Sequence, residues 1–258
     1  LDIIDAEYIR DVEPGEMIVI DPSGMSSIRP FEQRKVSQCV FEFIYFSRPD
    51  SVIFGDSVYR VRKELGRQLA REYPVDADMV ISIPDSGNYA ALGYAEESGI
   101  PFEFGMVRNH YIGRTFIQPS PEMRKHGVKI KLNPIMSVLK NKRVIVVEDS
   151  IVRGTTTSCR IKEIRDAGAS EIHMRISCPP IKFPCFYGID FPSRKELIAN
   201  EYGTVDEVAS AIGVDSLKYL SMDGMFEAIG GNKFCAACFN GIYPTKTKKA
   251  AVKAAFEK

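Results

Sequence analysis

Neither sign of charge is in excess in this chain. Its 34 lysines and arginines match 34 aspartates and glutamates, so the net charge at pH 7 is zero. A general nucleic-acid surface carries a basic excess, and there is no helix-turn-helix pattern, so no nucleic-acid partner is expected. No apolar run approaches the length of a bilayer span, so no membrane partner is expected either. The opening residues, LDIIDAEYIRDVEPGE, are acidic and strand-like, unlike a secretory signal. Position 1 is Leu, which reads as a fragment or processed product. The dinucleotide fingerprint G-x-G-x-x-G and the phosphate loop G-x-x-x-x-G-K-[ST] are both missing. The three histidines, His110, His126 and His173, show no ligand pairing, and no internal repeat is evident. His110 and His126 read as loop residues and His173 as a sheet-surface residue. Six cysteines without a secretory signal point to a reducing, cytoplasmic compartment, with the thiols free or binding metal.

At 258 residues the chain can bury a substantial core. Early on, EMIVI reads as a short strand followed by a DPSG turn. FEFIYF, ending at Phe46, is aromatic enough to demand burial. SVYRVRKELGRQLAREY is an amphipathic helix, with Val58, Val61, Leu65 and Leu69 at three-to-four spacing and its basic residues on a solvated face. From Asp78 strands and helices alternate. MVISIP is a strand, Asn88 to Ser98 a helix ended by Gly99, FEFGMV a strand, RVIVVE a strand, and a helix then runs through Ala167 to Gly168 before the strand EIHMRI. Such alternation implies crossover connections and a mainly parallel α/β sheet flanked by helices. Ser193 to Glu196 and Thr204 to Glu207 each fit a capping box. Short helices are expected over Ser216 to Leu220 and Met222 to Ile229. The expected organisation is a junction segment over 1–24, the main α/β domain over 25–190, a C-terminal helical region over 191–245 and a solvated tail over 246–258.

The most informative run is RVIVVEDSIVRGTTT, from Arg143 to Thr157. An apolar strand ends in two adjacent carboxylates, Glu148 and Asp149. A polar loop with Arg153 and Gly154 follows, and a helix opens on Thr155 and Thr156. In α/β proteins such a loop lies at the carboxyl edge of the sheet, where ligands bind. The helix N-terminus offers amides and hydroxyls to a phosphate. The paired acids suit a sugar diol or Mg²⁺, and nothing in packing explains two acids at a strand end. Together they describe a site for a phosphorylated ribose. The preceding strand ends in IPDSG, where Gly87 permits close approach and the amides around Asp85 and Ser86 can form a nest for a diphosphate. The long stretch from Arg108 to Asn141 holds Arg114, Arg124, Lys125, Lys129 and Lys131 with Tyr111 and Phe116. It reads as a cationic lid that could close over a polyanion and exclude water.

The run at 143–157 resembles the signature of the phosphoribosyltransferases, which bind 5-phosphoribosyl-1-pyrophosphate (PRPP). IPDSG, RNHYIGRTFIQP and VVEDSIVRGTTT, in this order, are similar to the glutamine PRPP amidotransferase family. FEFIYFSRPDS, SCPPIKFPCFYGIDFPSRKELIA and CAACFNGIYPT extend the likeness over nearly the whole chain. The resemblance implies a type I phosphoribosyltransferase fold that forms 5-phosphoribosylamine and pyrophosphate from PRPP and ammonia drawn from glutamine, the first committed step of purine biosynthesis. It implies that Glu148 and Asp149 bind the ribose hydroxyls and, with Ser86, Mg²⁺. Arg153, Gly154, Thr155 and Thr156 would cradle the 5-phosphate. Asp85, Ser86 and Gly87 would hold the pyrophosphate. Tyr111, Arg114 and Ile117 would belong to the closing loop and ammonia path. It further implies purine nucleotides as feedback inhibitors and a homo-oligomer, a tetramer. The acid pair is Glu-Asp where many members have Asp-Asp, which keeps the charge. Members begin with a glutaminase domain whose N-terminal cysteine is the nucleophile. Here residue 1 is Leu and the first cysteine is Cys39, so use of free ammonia is expected and glutamine hydrolysis is not.

Cys235 and Cys238 form a C-x-x-C, which by spacing suits half a zinc site or a redox pair. Some members of the resembled family hold a [4Fe–4S] cluster on four cysteines, and the matching places are Cys39, Cys185, Cys235 and Cys238. Such a cluster would act as a staple, with a four-thiolate zinc site as its rival. Cys159 and Cys178 are expected in the core. A competing reading keeps the fold as a PRPP-binding regulator without catalysis, and a third transfers the phosphoribosyl group to a purine or pyrimidine base.

Overall fold

A computed structural model describes residues 4–33, 35–109, 111, 132–191 and 193–245. The chain divides into two compact units, Leu1–Gln38 and Cys39–Lys258. In the first, β1 (Met17–Asp21) and β2 (Gly24–Ile28) form an antiparallel hairpin with Met17 opposite Ile28. Asp21 Oδ1 accepts from the Ser23 amide at 2.7 Å and so holds the turn. The unit therefore runs past the boundary expected after residue 24, because the returning strand pairs within it.

In the second unit, residues 42–46 form one turn of π-helix. The short hairpin β3 (Val52–Ile53) and β4 (Asp56–Ser57) leads into α1 (Val58–Glu72), whose first turn is capped by Ser57. Next come β5 (Met79–Ser82), α2 (Asn88–Ser98), β6 (Met106–Arg108), β7 (Leu132–Pro134), α3 (Met136–Leu139), β8 (Arg143–Glu148), α4 (Thr155–Asp166) and β9 (Glu171–Ile176). The chain closes with α5 (Ile198–Glu201), α6 (Val205–Ile212), β10 (Ser216–Tyr219), α7 (Met222–Ala228) and α8 (Ala237–Asn240). The four-stranded sheet has the order β10-β9-β8-β5 and is parallel throughout. Val144 to Val147, Val80 and Ile81 are fully buried, as expected for strands covered on both faces. The expected α/β architecture with a parallel central sheet holds. Both capping boxes are formed, and α2 stops at Gly99 in the left-handed region.

Several expectations need correction. Residues 216–219 form an edge strand parallel to β9, not a helix. Leu217 and Tyr219 are buried while Lys218 is exposed, a two-residue alternation in a segment too short to declare its period. The region after 191 thus contributes to the sheet itself. FEFGMV adds only a bridge from Phe102 to Val80 and then β6, which pairs antiparallel with β7. FEFIYF is only partly core: Phe41, Phe43 and Ile44 are buried, whereas Tyr45 and Phe46 are 50% and 56% exposed. Cys159 is exposed, because α4 buries Thr157, Arg160, Ile161 and Ile164 on its other face. His173 is buried on the sheet, 3.0 Å from Ser216 Oγ. The basic residues of α1 are not simply solvated. Arg67 and Arg71 bridge to Glu96 and Glu97 of α2.

The helices α1 and α2 pack closely. A Cβ at Gly66 would stand 1.9 Å from the Ala90 carbonyl oxygen, and one at Gly93 only 1.8 Å from that of Lys63. Both obstacles are backbone, so neither can yield without moving a helix. Gly93→Ala is expected to lower stability by roughly 1–3 kcal/mol through overpacking. Urea denaturation should show a lower midpoint with an unchanged slope.

Candidate PRPP site

The sheet carries β5 and β8 side by side, with Ser82 opposite Val147. The loop after β5 stays attached to β8, since the Ile83 amide donates to the Val147 carbonyl at 3.1 Å. The peptide between Pro84 and Asp85 is cis. Gly87 then lies against β8: a Cβ there would be 2.6 Å from Val147 O and 3.3 Å from Glu148 Cα. This approach requires glycine. Ser86 is also among the groups that hold the Asp149 carboxyl down against its burial. The two strand tips singled out in the sequence therefore meet.

After Asp149 the chain turns into α4 through Gly154, which has φ +77°. A side chain there would also meet Ile198 Cδ1 at 2.2 Å. The Ile198 amide donates to the Val152 carbonyl at 2.9 Å, so α5 pins the loop. Thr155 and Thr156 are exposed in the first turn of α4, which contains no acidic residue. The amides there lack helical partners and favour an anion.

These elements enclose a cavity of about 1130 Å³. Asp85, Ser86, Glu148, Asp149, Arg153, Gly154, Thr155 and Thr156 all line it, and Gly87 stands directly behind. Four lining residues were not foreseen. Arg62 of α1 also lines the cavity and is 4% exposed, donating to the carbonyls of Phe43 and Ser47 at 2.7 Å each. Arg160 of α4 is buried there too and pairs with Glu163 at 2.6 Å. Tyr45 and Phe46 form part of the wall. Arg62 and Arg160 sit in ordinary amphipathic patterns and Arg62 reads as one more charge on α1, so the sequence holds no signal for either. At the rim, Arg108 pairs with Asp85, and Arg153 turns to Glu196 at 3.0 Å. Tyr111 is wholly exposed and does not line the cavity. Arg114 and Ile117, with Phe116, Arg124, Lys125, Lys129 and Lys131, lie outside the described residues, as does the tail from 246.

Asp149 is buried and Glu148 half-buried, with the two carboxyls adjacent in the chain. Burial, then the neighbouring Asp149, push Glu148 well above the usual carboxylate range, and Arg160 only partly offsets this. Asp149 is raised by burial and held down by Ser150, Ser86 and Arg62. Glu148 Oε2 is buried and has no hydrogen-bond partner among the described residues. Oxygen donors left in this state suit a hard cation or the hydroxyls of a sugar.

Comparison with known proteins agrees with this geometry. No family model matches the chain. It is 54% identical over 246 residues to an amidophosphoribosyltransferase of Synechocystis sp., covering 95% of this chain and 50% of that protein. It is 52% identical over 250 residues to that of Mycobacterium tuberculosis, covering 95% and 47%. Two solved structures are similar. One is the glutamine PRPP amidotransferase from B. subtilis complexed with ADP and GMP, with TM-score 0.87, 48% identity and coverage of 97% of this chain and 56% of that one. The other is an allosteric regulatory enzyme of purine biosynthesis, with TM-score 0.88, 49% identity and coverage of 97% and 55%. By this likeness the chain belongs to the amidophosphoribosyltransferase family. It spans about half the length of the curated relatives it matches.

The fold is accordingly that of the phosphoribosyltransferase portion of this family. No helix among the described residues is long and apolar enough to cross a membrane. Also among the described residues, no group of three or more His, Cys, Asp or Glu side chains is arranged to hold a metal ion, and all six cysteines are free. The four cysteines singled out by the family resemblance nonetheless converge. Cys39 bridges Cys235 through the backbone, with the Val40 amide donating to the Cys235 carbonyl at 3.2 Å. The Lys182 and Phe183 amides bind the Cys238 carbonyl, bringing the segment before Cys185 alongside. Burial, and then the neighbouring Cys39, Cys185 and Cys235, push the Cys238 thiol up. Burial is the main cause that pushes Cys39 up to about 11.

The raised carboxyl of Glu148 sets a sign for stability. A carboxyl whose folded pKa lies above its unfolded one takes up a proton on folding, so stability falls as pH rises past the ordinary glutamate range, about 4. Glu148→Gln is expected to stabilise the ligand-free chain at pH 8 by roughly 1–3 kcal/mol, and by less at pH 5. Urea midpoints at the two pH values check this.

Proposed function

We propose that this chain binds PRPP with Mg²⁺ and passes its 5-phosphoribosyl group to ammonia, forming 5-phosphoribosylamine and pyrophosphate, the first committed step of purine biosynthesis. The observation that supports this best is that residues 85–87 and 148–156 line and back one cavity around the adjacent acids Glu148 and Asp149. In this reading the 5-phosphate sits on the amides and hydroxyls of Thr155 and Thr156, with Gly154 giving the turn its shape. Arg153 closes on the phosphate after exchanging Glu196 for it. Asp85, Ser86 and Gly87 hold the pyrophosphate. Glu148 and Asp149 bind the ribose hydroxyls and, with Ser86, would hold magnesium, which offsets the charge of the departing diphosphate when bound.

The C1–O bond breaks with its electron pair going to pyrophosphate, and ammonia forms the C1–N bond from the opposite face, losing a proton to solvent. Anionic surroundings stabilise the developing positive charge. Exclusion of water keeps it from being trapped. Tyr111, Arg114 and Ile117 are assigned to the closing loop and ammonia path. Cys39, Cys185, Cys235 and Cys238 would hold a [4Fe–4S] cluster as a structural crosslink. The family likeness is the ground for purine-nucleotide feedback, a homotetramer, a cytoplasmic setting, and glutamine as nitrogen source in the longer relatives.

Two measurements test the reading. Calorimetry with Mg²⁺ should show PRPP binding that Asp149→Asn weakens by about tenfold or more, the scale of one lost hydrogen bond to a charged group. Pyrophosphate release should require ammonia. Release with a nucleobase and none with ammonia would instead mark a base phosphoribosyltransferase, and binding without any release a regulator. For the thiol set, anaerobically purified protein should contain iron and acid-labile sulfide in equal amounts. Colourless protein holding zinc would overturn the cluster assignment.

A further inference from the structure

The last rungs of the sheet place a residue outside every motif beside the acid pair. Glu148 of β8 stands opposite Ile176 of β9, and Ile176 opposite Tyr219 of β10. Residues in one row of a parallel sheet project from the same face, with strands about 4.8 Å apart. The glutamate and the phenol therefore share a face, with only the fully buried Ile176 between them. Both side chains are long enough to approach each other across it.

Tyr219 is 7% exposed, and its hydroxyl has no hydrogen-bond partner among the described residues. The same is true of Glu148 Oε2. Burial is the main cause that pushes the Tyr219 phenol up, with the Cys178 thiol and then Glu148 adding to it. That thiol is directed to the Pro179 carbonyl at 3.3 Å, so it satisfies neither. A phenol can both give and accept a hydrogen bond, so it can pair with Oε2 whether or not that carboxyl holds a proton. Buried polar atoms rarely stay unpaired, and two complementary ones on the same face point to a shared partner.

We propose that Tyr219 is a positioning residue for Glu148, its hydroxyl holding Oε2 through one intervening water so that the rest of the carboxylate is presented to the cavity. This rests on the reading of that cavity as a PRPP site. The device lies behind the acid pair and touches no substrate. It compensates for placing a glutamate, with one more rotatable bond than aspartate, at the end of β8.

Tyr219→Phe removes a single oxygen and keeps the ring. If the hydroxyl positions Glu148, PRPP affinity with Mg²⁺ falls about tenfold. The KM for PRPP rises more than kcat changes, and the melting temperature does not increase. Glu148→Gln should weaken binding as well, and adding Tyr219→Phe to it should cost nothing further, because the two act through one contact. A merely buried hydroxyl gives the opposite pattern: Tyr219→Phe melts higher and binds PRPP as the wild type does, which overturns the positioning role and leaves the site intact. If the wild-type protein itself takes up no PRPP, the cavity reading falls, and the positioning role with it.

Discussion

The structure depends on two neighbouring parallel strands, β5 and β8, whose carboxyl ends finish at the same level and stay in contact beyond the sheet. The Ile83 amide still binds the Val147 carbonyl after β5 has formally ended, and Gly87 touches the same carbonyl and the Glu148 backbone. Because no side chain intervenes, the loops at 85–87 and 150–154 face one space. A ligand with a phosphate at one end and a diphosphate at the other can be gripped from both sides only if this spacing is held. The glycine contact and the ladder hydrogen bond hold it.

The same closeness sets a half-buried carboxyl beside a buried one, an arrangement that weakens the folded state. Its compensation is distributed. Ser150 donates to Asp149, Ser86 and Arg62 help to hold its charged form, and Arg160 does so in part for Glu148. Arg62 also holds the carbonyls of Phe43 and Ser47, so a single guanidinium ties the aromatic wall to the acid pair. That wall is anchored from behind as well. Phe41 packs on Phe191 and Phe239, and Phe239 follows Cys238. The thiol set thus supports the cavity by packing, at the point where Cys39 and Cys235 bring distant segments together.

Much of the site was legible because its chemistry is local. Acids at a strand end, glycine at a turn and threonines at a helix start all fall within one strand–loop–helix, and periodicity alone located β8 and α4. The parts that escaped notice are those whose role comes from distant neighbours. Arg62 has the helical spacing of a solvated residue, and only the packing of α1 turns it inward. Tyr45 and Phe46 look like core and instead line a cavity. Residues 216–219 are too few to show their period, and become a strand because β9 offers a free edge.

By itself the sequence determined the alternation of strands and helices, their caps, and the order of chemical groups along two loops, since each follows from the conformational preferences of a few adjacent residues. Only the tertiary structure decided which strand tips meet, which arginines face the carboxylates, and which thiols converge. Those outcomes depend on distances between segments far apart in the chain, and such distances exist only once the sheet has chosen its strand order and the helices have packed against it.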